Sequence, residues 1–269
     1  MTPEIDIDHI IRDKAPDLYR MLPGFLKRYI KRTIHQDQIN YCLRNFGHLE
    51  AIEFIRATLR YMEIDYRVHG METLDPQKRY IFASNHPLGG LDGLILADAV
   101  EKHFGSVKLV VNDLLMNLTP IRSLFVPVNK HGKQSAEYVR GLNRVYDSDE
   151  QIIYFPAGLC SRKIHGKIQD PPWRKNFMVK AREHGRDIVP VYVDAVNSRF
   201  FYNFARLRKA LGVKVNIEMF YLPDEMFSQR GKKMDIYVGT PIEHRRLCDN
   251  RPLPELVAEI RKAVYALKK

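Results

Sequence analysis

Apolar positions recur at two different spacings along the chain, and the change falls near residue 63. Before it the spacing is helical. Ile10, Ile11 and Leu18 recur at near-helical intervals, and Leu49, Ile52, Ile55 and Leu59 do the same across residues 48–62. Between these runs, residues 22–34 open with Pro23 and Gly24. There Phe25, Leu26, Tyr29, Ile30 and Ile34 share a helical face, and Lys27, Arg28, Lys31 and Arg32 supply charge. This predicts a basic amphipathic helix, whose apolar face either packs on the rest of the chain or docks at a membrane.

After residue 63, short apolar runs alternate with helical patterns. Strands are predicted at 64–68, 80–83, 107–111, 124–128, 151–155, 188–193, 213–221 and 235–238. Helices are predicted at 92–104, 135–146, 173–183, 203–211 and 253–267. Strands separated by helices predict an α/β fold: a mixed, largely parallel sheet flanked by helices, with a helical N-terminal segment. The expected division is 1–62, a helical docking or lid element, and 63–269, the α/β domain. No internal repeat or low-complexity tract is present.

Composition narrows the function. The 269 residues carry 43 Lys+Arg against 32 Asp+Glu, a formal net charge of +11, so an anionic partner is expected. A hydrophobic fraction of 45% excludes a fully disordered chain. Cys42, Cys160 and Cys248 are scattered, with no CxxC pair, which excludes a disulfide framework and the common zinc patterns and fits a reducing compartment. The acidic start, with Glu4, Asp6 and Asp8, does not read as a secretory signal, and no long window is free of charge. A soluble or peripheral protein is expected.

Three segments carry candidate chemistry. The first, Asn85-His86-Pro87-Leu88-Gly89-Gly90-Leu91-Asp92, follows a strand and opens a helix. Glycines permit the tight return that brings a carboxylate back to an imidazole. Asp92 bonded to one ring nitrogen of His86 would leave the other free to take a proton from a hydroxyl. Equally, Asp92 caps a helix and His86 is an ordinary turn histidine; the spacing alone favours that plainer reading. The second segment is Phe155-Pro156-Ala157-Gly158, leading to Cys160, Ser161 and Arg162, with Lys163 and Lys167 beyond. A forked guanidinium there suits an anion, and a solvated basic tail fits as well. The third is Val126-Pro127-Val128-Asn129-Lys130, where proline predicts a sheet edge or strand end.

The order of these segments, followed by Ile188-Val189-Pro190-Val191, resembles the lysophosphatidic-acid-acyltransferase-like superfamily over roughly residues 79–195. The family's first motif is Asn-His, four residues, then Asp; here Asn85 and His86 match and Asp92 lies one residue further. The family has Asp-Arg where this chain has Asn129-Lys130, and Phe-Pro-Glu-Gly where Ala157 replaces the glutamate. Those departures resemble the bacterial hemolysin-like branch, which includes O-acyltransferases of amino-acid lipids.

The resemblance implies transfer of an acyl group from acyl carrier protein or coenzyme A to the hydroxyl of a lyso-lipid. It implies no metal or other cofactor and no covalent acyl-enzyme. His86 would be the base and Asp92 its partner. Asn85, Gly89, Gly90, Phe155, Pro156 and Gly158 would line the substrates, with a backbone N–H of Gly89, Gly90 or Gly158 facing the oxyanion. Lys130, Ser161 and Arg162 would meet the anionic head of the acceptor, either lysophosphatidic acid or an N-acyl glycine or ornithine lipid. Cys160 reads as packing. The enzyme would act from the cytoplasm on the inner face of the membrane, docking through 25–34 or through Arg199-Phe200-Phe201-Tyr202 and the basic residues that follow. The rival expectations are a thioesterase using the same pair, and a non-enzymatic basic protein that binds nucleic acid or membrane.

Overall fold

In a computed structural model, residues 4–112, 116, 118–128, 136–248 and 251–269 are described. Asn129 and Lys130 lie outside the described residues.

Five helices come first: α1 (Ile7–Lys14), α2 (Pro16–Met21), α3 (Gly24–Thr33), α4 (Gln36–Phe46) and α5 (Ala51–Tyr61). There follow β1 (Asp65–His69), β2 (Tyr80–Ser84), α6 (Gly90–Phe104), β3 (Val107–Asn112), β4 (Phe125–Val128), α7 (Ala136–Asp147) and β5 (Gln151–Tyr154). A hairpin, β6 (Arg162–Ile164) and β7 (Lys167–Gln169), precedes α8 (Asn176–Glu183) and β8 (Asp187–Asp194). The chain closes with α9 (Arg199–Ala210), α10 (Leu222–Phe227), β9 (Lys233–Val238) and α11 (Leu253–Ala266).

Among the described residues, seven strands form one sheet in the order β1-β9-β8-β2-β5-β3-β4. From β8 to β4 every neighbouring pair is parallel, whereas β9 runs antiparallel to β8 and β1 pairs parallel to β9. The expected mixed, largely parallel sheet is therefore present. Central parallel strands are covered on both faces, which is why β2 and β8 carry unbroken apolar runs, residues 80–83 and 188–193. The alternation of the pleat sends Tyr80 and Phe82 into one core with α5 and α6, and Ile81 and Ala83 into the other with α8 and α11. Cys42 and Leu43 of α4 and Phe54, Ile55 and Leu59 of α5 join the first core, so these helices and the sheet share one interior. Pro127 sits on β4, the edge strand, as its missing N–H requires.

Two parts of the sequence reading are corrected. Residues 213–221 do not form a strand: Ile217–Tyr221 is a 3-10 helix, and Val213, Val215 and Ile217 are exposed. Glu218 is the cause. Its carboxylate is wholly buried and takes Arg162 Nη2 at 2.9 Å, with Arg208 Nε 2.7 Å away, which holds the segment in a turn. The hairpin β6–β7 is an element that the apolar pattern does not predict. It reverses at His165 and Gly166, both at positive φ.

Among the described residues, Arg186 is the largest fully buried side chain. Its guanidinium donates to the carbonyls of Tyr80, Val145, Tyr146, Ser148 and Glu150, stapling the α7–β5 turn to the start of β2. Burial lowers its pKa to about 10, which still leaves it charged at neutral pH.

Candidate active site

Loops leaving the C-terminal ends of adjacent parallel strands converge at one place, the usual location of ligand sites in open α/β sheets. β2 is flanked by β8 and β5, so the loops after all three meet. His86 stands two residues beyond β2.

Its Nδ1 lies 3.0 Å from Asp92 Oδ2. Asp92 is the third residue of α6, and the same oxygen accepts the N–H of Leu88 at 2.9 Å and of Gly89 at 3.0 Å. Capping and partnership with the histidine are thus one arrangement, and the two readings of the spacing coincide. Gly89 makes the return possible: its φ of 84° and ψ of −123° belong to glycine, and a Cβ there would meet Cys160 Sγ at 3.1 Å.

Burial pushes the Asp92 carboxyl above its ordinary value, and the bond to His86, its charge and the two N–H donors oppose that rise. Oδ1 of Asp92 is buried without a partner among the described residues. On the other side of the ring, Nε2 of His86 has no protein partner among the described residues, and the side chain is 18% exposed. The imidazole stacks on Phe155, ring centroids 4.1 Å apart at 26°. An imidazole held this way has one nitrogen committed to a carboxylate and the other open to a proton.

The main chain of His86 is also held on both sides. Its N–H donates to Asp170 Oδ1 at 3.2 Å, and its carbonyl accepts the Ser161 N–H at 2.7 Å. Asn85, buried, bonds both backbone groups of Val193, at 3.0 and 2.7 Å, and so ties β2 to β8. Asn197, after β8, donates to the Pro87 carbonyl at 3.0 Å.

Residues 9–269 match a family described as Acyltransferase. This chain belongs to that acyltransferase family. It is 42% identical over 264 residues to the lyso-glycine lipid O-acyltransferase of Bacteroides thetaiotaomicron, covering 98% of this chain and 97% of the relative. It is 39% identical to the lyso-glycine lipid O-acyltransferase of Phocaeicola vulgatus, over 98% and 95% of the two chains. Among solved structures, the 1-acyl-sn-glycerophosphate (LPA) acyltransferase of Thermotoga maritima aligns over 97% of this chain and 93% of its own, at 15% identity and a TM-score of 0.49.

In this acyltransferase the other nominated residues fall into three groups. Phe155 lies against His86, with Pro156 buried beside it and its carbonyl taking the Arg174 N–H. Gly89 and Gly158 shape turns, and their N–H groups are committed to Asp92 and to the Phe155 carbonyl. Gly90, at the first turn of α6, has no acceptor for its N–H among the described residues. Ser161 and Arg162 are not turned to an acceptor: Ser161 is buried with its hydroxyl 2.6 Å from Asp170, and Arg162 is engaged by Glu218 and the Cys160 and Ser161 carbonyls. The low exposure and full set of partners of Arg162 replace the free guanidinium expected from the sequence. Ala157 is buried in the same core as Trp173 and Phe177.

Cys160 is buried against Gly89, and its thiol is raised to about 12 by burial first and by the Asp92 charge second. That suits packing and not nucleophilic chemistry. Asp170, Asn197 and Glu218 escaped the sequence reading. Asp170 precedes Pro171-Pro172-Trp173, a turn signal that carries no hint of its destination.

Proposed function

We propose that this acyltransferase moves a fatty acyl group from an acyl thioester, borne by acyl carrier protein or coenzyme A, to the hydroxyl of a lyso-glycine lipid. The observation that carries the chemistry is the His86–Asp92 pair with Nε2 open. In the proposed step Nε2 takes the acceptor hydroxyl proton as the oxygen attacks the thioester carbonyl, and the thiol of the carrier departs with a proton. Asp92 holds the ring and balances the imidazolium. A base placed in this way contributes about 10²–10⁴-fold in rate. The acceptor is suggested by the two relatives and by the absence of the glutamate that Ala157 replaces.

The acceptor is amphiphilic, and an exposed surface of apolar and basic side chains supports this reading. No helix among the described residues is long and apolar enough to cross a membrane. However, α3 exposes Phe25 and Tyr29, with Met21 beside them, and the α9 region exposes Phe200, Leu207, Leu211, Val213, Val215 and Ile217. The two candidate docking segments meet: Tyr29 Oη lies 3.0 Å from Tyr221 Oη, and Phe200 and Phe204 pack edge-on against the Tyr221 ring. Exposed Arg28, Arg32, Arg206 and Lys209 interleave with these apolar groups. Such a mixture favours an anionic lipid surface, at about 1 kcal/mol per cation besides the apolar burial. The inner face of the cell membrane is the corresponding location.

The test uses purified enzyme, labelled acyl carrier protein and coenzyme A thioesters, and a panel of lyso-glycine lipid, the ornithine analogue and lysophosphatidic acid, with His86→Ala as control. Label moving to the lyso-glycine lipid and lost in the variant supports the proposal. Transfer to lysophosphatidic acid alone moves the acceptor. Free fatty acid released without transfer makes the protein a thioesterase.

A further inference from the structure

Asp170 is 1% exposed and lies outside every segment the chemistry nominated. It nevertheless touches the backbone of His86 from 84 residues away. Oδ1 accepts the His86 N–H at 3.2 Å and the Ser161 hydroxyl at 2.6 Å, and Oδ2 accepts Trp173 Nε1–H at 2.9 Å. Its own N–H donates to Tyr265 Oη at 2.8 Å, and its carbonyl accepts Arg261 Nη2 at 3.0 Å, so α11 grips it from behind. Ser161 closes the ring through its N–H on the His86 carbonyl.

We propose that Asp170 is a positioning residue for His86, anchoring the histidine's main chain to α11 through one buried carboxylate. The proposal rests on His86 acting as the base. The side chain of His86 is oriented by Asp92 and Phe155, but an imidazole is placed only as firmly as its Cα. The loop between β2 and α6 ends in Gly89 and runs into Gly90 at the start of the helix, so outside bonds to the His86 main chain add rigidity that this glycine turn lacks. A catalytic group displaced by about 1 Å loses on the order of 10²-fold in rate. Two main-chain bonds, one to Asp170 directly and one to Ser161, which Asp170 holds, fix His86 on both sides of its Cα. The carboxylate suits this task because every neighbour it meets is a donor.

That donor set provides the test. An asparagine at 170 has one oxygen and one NH₂. Whichever way it turns, NH₂ faces either the His86 N–H or the indole N–H. Asp170→Asn is expected to lower kcat by about 10–100-fold with KM for both substrates within about twofold. Trp173→Phe alone leaves kcat within about threefold, because Oδ1 still holds His86. Asp170→Asn/Trp173→Phe lets the amide oxygen return to His86 and is expected to recover at least about threefold of the lost kcat.

Tyr265→Phe, which removes only the hydroxyl that accepts the Asp170 N–H, supplies a second reading should the asparagine variant not fold. It is expected to lower kcat severalfold at unchanged KM. Normal kcat in Asp170→Asn, an effect confined to KM, or failure of the double variant to recover over the single overturns the proposal. With no folded Asp170→Asn, a normal kcat in Tyr265→Phe overturns it. His86→Ala separates the two levels: an active His86→Ala defeats the underlying base, whereas an inactive one beside a normal Asp170→Asn defeats the positioning role alone.

Discussion

A single oxygen of Asp92 serves both His86 and the helix that carries Asp92: Oδ2 lies 3.0 Å from His86 Nδ1 and accepts the N–H groups of Leu88 and Gly89. Asparagine can present its amide oxygen at that position and keep all three contacts, while its NH₂ occupies the site of the unpartnered Oδ1. Asp92→Asn therefore removes the charge and keeps the turn. The expected result is a kcat lower by about 10²–10⁴-fold with secondary structure unchanged by circular dichroism.

The same substitution has a signed consequence for stability. Burial raises the folded pKa of Asp92 above its unfolded value. Between those two values the folded state holds a proton that the unfolded state has released. The contribution of Asp92 to stability is thus fully present below the unfolded pKa and is lost as pH rises through the folded one. Asp92→Asn cannot lose it. The thermal midpoint of the variant minus that of the parent should be larger at about pH 8 than at about pH 4. A difference that shrinks with rising pH would show that the partnership with His86 outweighs burial.

Gly89 carries the turn. With φ at 84° and ψ at −123°, any L side chain is strained there, and the Cβ of alanine would press on Cys160 Sγ at 3.1 Å. Gly89→Ala should cost about 1–3 kcal/mol in urea unfolding and depress kcat through the displaced Asp92. Adding Cys160→Ala relieves the contact and leaves the backbone strain, so it should restore less than half of the lost stability.

The thiols should differ in reactivity. Cys160 is buried and its thiol is raised to about 12, whereas Cys248 is exposed. Iodoacetamide at about pH 8 should modify Cys248 and spare Cys160 in the folded enzyme, with kcat retained, as read by peptide mass spectrometry. Rapid modification of Cys160 with loss of activity would contradict the packing role.

The apolar surface spanning α3 and α9 should set membrane affinity separately from chemistry. Phe25, Phe200 and Leu211 are 67%, 51% and 70% exposed. Replacing all three by serine should weaken binding to phosphatidylglycerol vesicles by about tenfold or more, measured by flotation. Turnover of a soluble, short-chain acceptor should remain within about twofold.

Local pattern determined most of the sheet's strands and the helices that follow them, and it offered the His86–Asp92 return beside the plainer reading of a helix cap. Residues 80–83 of β2 and 188–193 of β8 are apolar because both faces are covered, and Pro127 marks an edge because proline donates no ladder bond. A glycine pair before an aspartate at helical onset likewise stays within a few residues. Tertiary structure decided what those signals meet. Residues 213–221 alternate like a strand, yet Glu218 turns inward to Arg162, 56 positions earlier, and to Arg208. That same pairing removes Arg162 from the list of free cations. Asp170 reads as a loop aspartate until the fold places it on His86, Ser161 and Trp173 at once. Such bonds join groups far apart in the chain, and a buried charge takes whichever partners surround it when the chain closes. No spacing in the sequence encodes that choice, whereas the periodicity of a strand or a helix is written in every few residues.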